Sequence, residues 1–299
     1  MSIAFAHVTE TPPVTFEQLM VQWTFDPTIL LVLVIAFLYF RGIKYYRFQK
    51  SFPSSWWRSL SFTLGIGITV IALCSPLDAF ADHLFWVHMI QHMLVMMVAA
   101  PLILIGLPLF PVLRGFPKVL RTYLVVPLAQ WKLYRKFLNF LVKPPVAIAL
   151  YVLTTWMWHH PFLYDLALHD TLWHFMEHGL FFWAAVLFWW NIIDPLPLKC
   201  KWPKPLRLIV IALAAIQNSA LGAALASSNK ALYAYGERGA RFGFTALEDQ
   251  TFGGALMWIP GAMMYLVAFS VVFFTIAFKA TREDPLYKLK DQQSSRKIQ

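Results

Sequence analysis

Residues 84–106 read LFWVHMIQHMLVMMVAAPLILIG, a run without a single Lys, Arg, Asp or Glu. A helix of that length is about 35 Å long, enough to cross a hydrocarbon core of about 30 Å. A lone strand in lipid would leave its N–H and C=O groups unpaired, so the run predicts a transmembrane helix. Two histidines four residues apart, His88 and His92, interrupt it. Ionisable side chains at that depth are costly and need a reason.

Six more apolar segments flank this one, at 28–46, 58–78, 145–160, 171–191, 206–226 and 255–279. The predicted fold is an all-α integral membrane protein of seven transmembrane helices within 28–280. An extracytoplasmic segment, 1–27, precedes them, and a tail, 281–299, follows. The stretch 117–143 mixes basic and apolar residues around Pro127 and is expected to lie in the interface rather than to cross. Composition agrees. Of 299 residues 59% are hydrophobic and 13% charged, with mean hydropathy +0.58, whereas a soluble domain carries about 25% charged residues. A soluble enzyme, a disordered chain and a disulfide scaffold are excluded. No Lys or Arg occurs in the first 27 residues, so no cleavable signal peptide is expected.

The connecting segments set the orientation. Arg41, Lys44, Arg47, Lys50 and Arg58 follow the first segment, seven basic residues run from Arg114 to Lys143, and Lys199, Lys201, Lys204 and Arg207 precede the sixth. Six more lie in the tail, and the alternate side holds only Lys230, Arg238 and Arg241. By the positive-inside rule the N-terminus is outside and the C-terminus cytoplasmic. The net charge of +10 therefore reports orientation and contact with anionic lipid, not nucleic acid. Cys74 falls near the outer end of the second segment and Cys200 in a cytoplasmic loop, too far apart for a disulfide.

All nine histidines fall on the outer side, with eleven of the fifteen acids. The positive-inside rule accounts for missing Lys and Arg but not for this. In HMIQHML, His88 and His92 share one helical face; in HFMEH, His174 and His178 repeat the spacing with Glu177 beside them. Both pairs lie at matched depth, about 5 and 11 Å in from the outer helix ends. One metal centre could draw ligands from both helices, since neutral imidazole binds copper, zinc and iron. The other reading is structural, with polar side chains holding helices together. H-x-x-E-H also occurs in inverted zinc metalloproteases, but one match in a membrane helix is weak evidence of proteolysis.

Met89, Met93, Met96 and Met97 surround the first pair, and Met176, Met257, Met263 and Met264 lie on other outer-half segments. Thioethers select Cu(I), which favours copper, although methionine also serves as plain packing. Met96, about 40° from His92 on a helical wheel, Met257 and Cys74 are the soft secondary candidates. Iron remains open through Glu177, though a di-iron centre wants about four carboxylates. Haem remains open if one histidine from each helix clasps it. Asp165 and Asp170 read either as histidine partners or as loop acid and helix cap. Gln217, Asn218 and Ser219 sit in the outer half of the sixth segment, and Asp249 and Gln250 precede the seventh. There is no Gly-rich phosphate loop and no Ser/His/Asp motif.

CSPLDAFADHLFWVHMIQHMLVMMVAAPLILIGLP (74–108), WMWHHPFLYDLALHDTLWHFMEHGLFFWAAVLFWW (156–190) and LEDQTFGGALMWIPG (247–261) together resemble the CtaG family of Gram-positive cytochrome c oxidase assembly factors. The resemblance covers about residues 20–280. It implies a seven-span, non-enzymatic protein of the cell membrane, needed for active caa3-type oxidase, with an oxidase subunit as partner. The histidine spacing and adjacent methionines make copper at His88, His92, His174 and His178 the leading expectation. A membrane redox protein with haem or a di-metal centre, and a pure assembly scaffold, are the alternatives.

Overall fold

The computed structural model describes residues 15–24, 28–47, 55–195, 202–236 and 238–283. His7, Cys200 and the tail beyond 283 lie outside them. All regular structure among the described residues is helical. The principal elements are α1 (Phe16–Val21), α2 (Thr28–Arg47), α3 (Trp56–Cys74), α4 (Pro76–Ala81), α5 (Phe85–Ile105), α6 (Leu109–Gly115), α7 (Lys132–Leu141), α8 (Pro144–Trp158), α9 (Pro161–His169), α10 (Thr171–Ile193), α11 (Lys204–Ala226) and α12 (Ala246–Glu283).

Each of the seven expected segments lies on helix, with local differences that have local causes. The second breaks at Ser75, whose hydroxyl caps the Leu77 N–H and starts α4 with Pro76 in its first turn. The third, α5, widens into a π turn over Leu94–Ala99, just before Pro101 withholds the N–H that would bond the Met97 carbonyl. The seventh starts nine residues earlier than expected, at Ala246 rather than 255. There Thr245 and Glu248 exchange side-chain and backbone hydrogen bonds as a capping box. The stretch 117–143 forms a helical run over residues 118–130, with a π turn at Arg121–Val125, that breaks at Trp131 before α7, and it has no buried residue between Lys118 and Leu141.

Among the described residues four helices, α3, α5, α11 and α12, are long and apolar enough to cross a membrane; α7 and α8, bent by 65° at their junction, would make a fifth. Large apolar side chains point outward along them, among them Leu64, Leu213, Ile216, Leu266, Val267 and Phe274. In water so many would be an aggregation hazard; in lipid they are solvated.

Inward-facing residues form one main core within the bundle. Met96 of α5, Tyr151 and Trp158 of α8, Phe181, Phe188 and Trp189 of α10, Ile211 of α11 and Tyr265 of α12 belong to it. Hydrophobic driving force is small between helices in lipid, so close packing and polar ties decide the arrangement. Gly222 and Gly254 let α11 and α12 touch backbone to backbone. Gln91 donates to the Ala72 carbonyl at 2.9 Å and to Asp78 at 2.6 Å, tying α5 to α3 and α4.

Candidate metal centre

The first turns of α5 and α10 carry the two histidine pairs. Asp170 caps α10 by accepting from Leu172 and Trp173 N–H. The head of α5 is capped from across the bundle: the Asp249 carboxylate of α12 accepts from Phe85 N–H at 2.8 Å and Trp86 N–H at 2.9 Å. These are charge-assisted bonds at a helix N-terminus, which the helix dipole strengthens. They fix the turn from which His88 projects. Asp165 accepts from Ala234 N–H. Asp165, on α9, thus holds the 227–245 loop, and Asp170 acts as a helix cap.

The pairs meet rung for rung. Ring centroids are 5.7 Å apart for His88 and His174 and 5.4 Å for His92 and His178; within each helix they are 4.3 and 4.2 Å apart. A match of first with first and second with second requires α5 and α10 to run in the same direction. Glu177 enters the cluster, its Oε1 3.3 Å from His92 Nε2 and its Oε2 3.9 Å from His88 Nε2. All five side chains are buried, Glu177 to 1% exposure. His88, His92 and His178 bring one donor atom each within 4.8 Å of one another, as do His88, His174 and Glu177. His88 belongs to both sets.

Two tyrosines absent from the sequence expectations orient His88. Tyr235 donates to the Ala81 carbonyl at 3.1 Å, and a carbonyl can only accept. The proton in the 2.7 Å contact between the two hydroxyls then comes from Tyr164. The hydroxyl of Tyr164 is 3.0 Å from His88 Nδ1, so that nitrogen carries the N–H and donates. Burial raises both phenols above their ordinary range and keeps them protonated at neutral pH. Nε2 of His88 is left as the lone-pair nitrogen, on the side of Glu177. His159, at the end of α8, shows the same polarity: Nδ1 donates to the Thr155 carbonyl at 2.7 Å, and buried Nε2 has no hydrogen-bond partner. Its ring and that of His92 both pack on Phe181, at 6.0 and 4.4 Å.

The donor set fits a cation. Glu177 Oε2 is buried without a hydrogen-bond partner, and a buried carboxylate among neutral imidazoles lacks compensating charge. A first-row ion would supply it. A macrocycle fits poorly, because the rings stand 4.2 to 6.0 Å apart, side chain against side chain. Met96 packs in the main core with Phe181, Met257 with Phe85, Met89 and Tyr164, and Cys74 with Ile29, Ala72, Leu73 and Val95. Asn218 donates to the Met257 carbonyl and Gln217 accepts from Trp156, so both serve the helix packing.

Comparison with known proteins places this geometry. A family model described as cytochrome c oxidase caa3 assembly factor (Caa3_CtaG) matches residues 37–278. The chain is also similar to an uncharacterized protein of Mycobacterium bovis and to one of Mycobacterium tuberculosis. Each is 26% identical over 259 residues, covering 82% of this chain and 38% of the relative. The chain thus spans about two fifths of the length of these relatives. No solved structure matches.

Proposed function

Because the chain belongs to the cytochrome c oxidase caa3 assembly factor family, we propose that it takes up copper at the histidine cluster and hands it to an oxidase subunit. The observation that carries this reading is the buried convergence of four imidazoles and one carboxylate from α5 and α10. The protein acts as a carrier and not as an enzyme: copper is its cargo. Imidazole nitrogens hold the ion, Glu177 balances its charge, and the Tyr235–Tyr164 pair holds His88 with Nε2 turned to the cargo. Handover needs a ligand that can accept the ion in passing. His159 Nε2 is buried and without a partner beside the cluster, and it suits that step.

In this reading the chain is a seven-span protein of the plasma membrane, with the cluster near the outer surface. The shared direction of α5 and α10 supports it, as the third and fifth of seven crossings must run alike. A reporter fused after Gln299 should then label from the cytoplasm and one inserted in the 227–245 loop from outside. The opposite labelling would put the cluster on the wrong side for an outer oxidase domain.

The functional test is caa3-type oxidase activity in copper-limited cells that depend on this chain. His88→Ala should lower activity at least tenfold at wild-type protein level, an effect on the scale of losing a metal ligand's support. Added copper should restore part of it, because occupancy follows free metal. Full activity of His88→Ala in copper-limited cells would refute delivery.

A further inference from the structure

At the bundle end away from the histidines lies a second cleft, of about 580 Å³, between α5, α10, α11 and α12. Its walls are apolar: Pro101 and Ile105, Trp189 and Ile193, Val267 and Val271. Along α12 it runs from Met264 to Ile276, about 18 Å, or roughly one leaflet of hydrocarbon. One end alone is polar, where Asp194, Lys204 and Arg207 line it.

That end is built for an anion. Arg207 is 7% exposed; it donates from Nη1 to the Ile192 carbonyl at 3.1 Å and from Nη2 to Asp194 at 3.0 Å. Its Nε is buried and has no partner, although burying an N–H of a charged group unpaired is costly. Asp194 offsets the Arg207 charge and sits at φ 60°, in the left-handed region that few non-glycine residues adopt. Lys204, exposed at the first turn of α11, is then surplus positive charge. The start of that helix adds little to it, because Pro203 and Pro205 carry no N–H and Leu206 N–H is bonded to the Pro203 carbonyl. The positive charge at the mouth comes from the two side chains.

We propose that this cleft is a binding site for an anionic phospholipid. One acyl chain lies along α5 and α12, and the phosphate sits between Lys204 and Arg207 Nε. Charge complementarity selects the lipid: the surplus charge at the mouth is positive and everything behind it is hydrocarbon. Basic pockets between helices at a membrane face commonly take anionic head groups. This site is independent of the copper reading, being at the other end of the bundle.

Trp189 lines the cleft and reports on it. The full chain in nanodiscs of phosphatidylcholine, with a minority of brominated phosphatidylglycerol, should show a component of quenching that Trp189→Phe removes, beside that of the exposed Trp56, Trp57, Trp156, Trp183 and Trp258. Brominated phosphatidylglycerol should quench that component about fivefold more effectively than brominated phosphatidylcholine, equivalent to about 1 kcal/mol for one basic residue at the surface. Lys204→Gln, an exposed change that does not disturb packing, should bring the two lipids to parity. Native mass spectrometry of retained lipid should show the same loss, and it covers the case in which an Arg207 variant fails to fold. Equal quenching by both lipids in the unmodified chain would overturn the proposal. So would loss of the preference on adding inorganic phosphate, which would make the ligand a soluble anion.

Discussion

His88→Ala should reduce the copper retained by the purified chain to background, while His174→Ala should leave a measurable fraction. His88 belongs to both groups of converging donors, whereas removing His174 leaves His88, His92 and His178 in place. His178→Ala and His92→Ala should fall between. Tyr164→Phe combined with Tyr235→Phe keeps every ligand but removes both hydroxyls within reach of His88 Nδ1, at 3.0 and 3.2 Å, and with them the contacts that set its tautomer. Its expected loss is about 10–100-fold in affinity, the usual scale for a partner behind a metal ligand. Elemental analysis against thermal unfolding separates loss of metal from loss of fold, since one truncated side chain should leave the helices packed. Equal copper in all the histidine variants would reduce the cluster to a structural device.

Gly254→Leu should force two packed helices apart. A Cβ at Gly254 would sit 2.5 Å from the Ala226 nitrogen and 2.7 Å from the Gly222 carbonyl oxygen. These are backbone atoms on a packed helix and cannot rotate away. Overpacking that side chains can absorb costs about 1–3 kcal/mol; here α11 and α12 must separate, and the cost should exceed that range. The damage should reach the metal centre as well. Asp249, one turn before Gly254, holds the first N–H groups of α5, so a displaced α12 releases the turn that carries His88. Gly67→Ala is the control, because its Cβ would meet nothing within 4 Å. Helix propensity then predicts a gain of about 0.5–1 kcal/mol. A Gly254→Leu protein with unchanged unfolding temperature and copper content would contradict this packing.

The helices and the centre were legible for one reason: both are periodic. Long apolar runs locate helices, and a four-residue histidine spacing shows a shared face whatever the partner helix. What crosses between elements was not legible. Tyr164 and Tyr235 lie 71 residues apart on a short helix and a loop, and nothing in either neighbourhood marks a hydroxyl as the partner of His88. The Asp249 cap on α5 spans more than 160 residues. The methionines are ambiguous because a thioether and an apolar core side chain look alike in sequence; Met96, Met257 and Cys74 belong to hydrophobic clusters. His159 was visible as an outer histidine, but without a mate four residues away it offered no pairing signal. The early start of α12 was readable after all, in the Thr245 and Glu248 pair of a capping box.

The central claim is that imidazoles, and not sulfur, hold the copper. X-ray absorption at the copper edge, on purified chain loaded with one equivalent and washed, tests it directly. The predicted spectrum has nitrogen scatterers at about 2.0 Å, the usual distance from a first-row metal to histidine. It should also carry the multiple-scattering signature of imidazole rings, lost in His88→Ala. A first shell dominated by sulfur, or a chain that retains no copper after washing, would contradict the account.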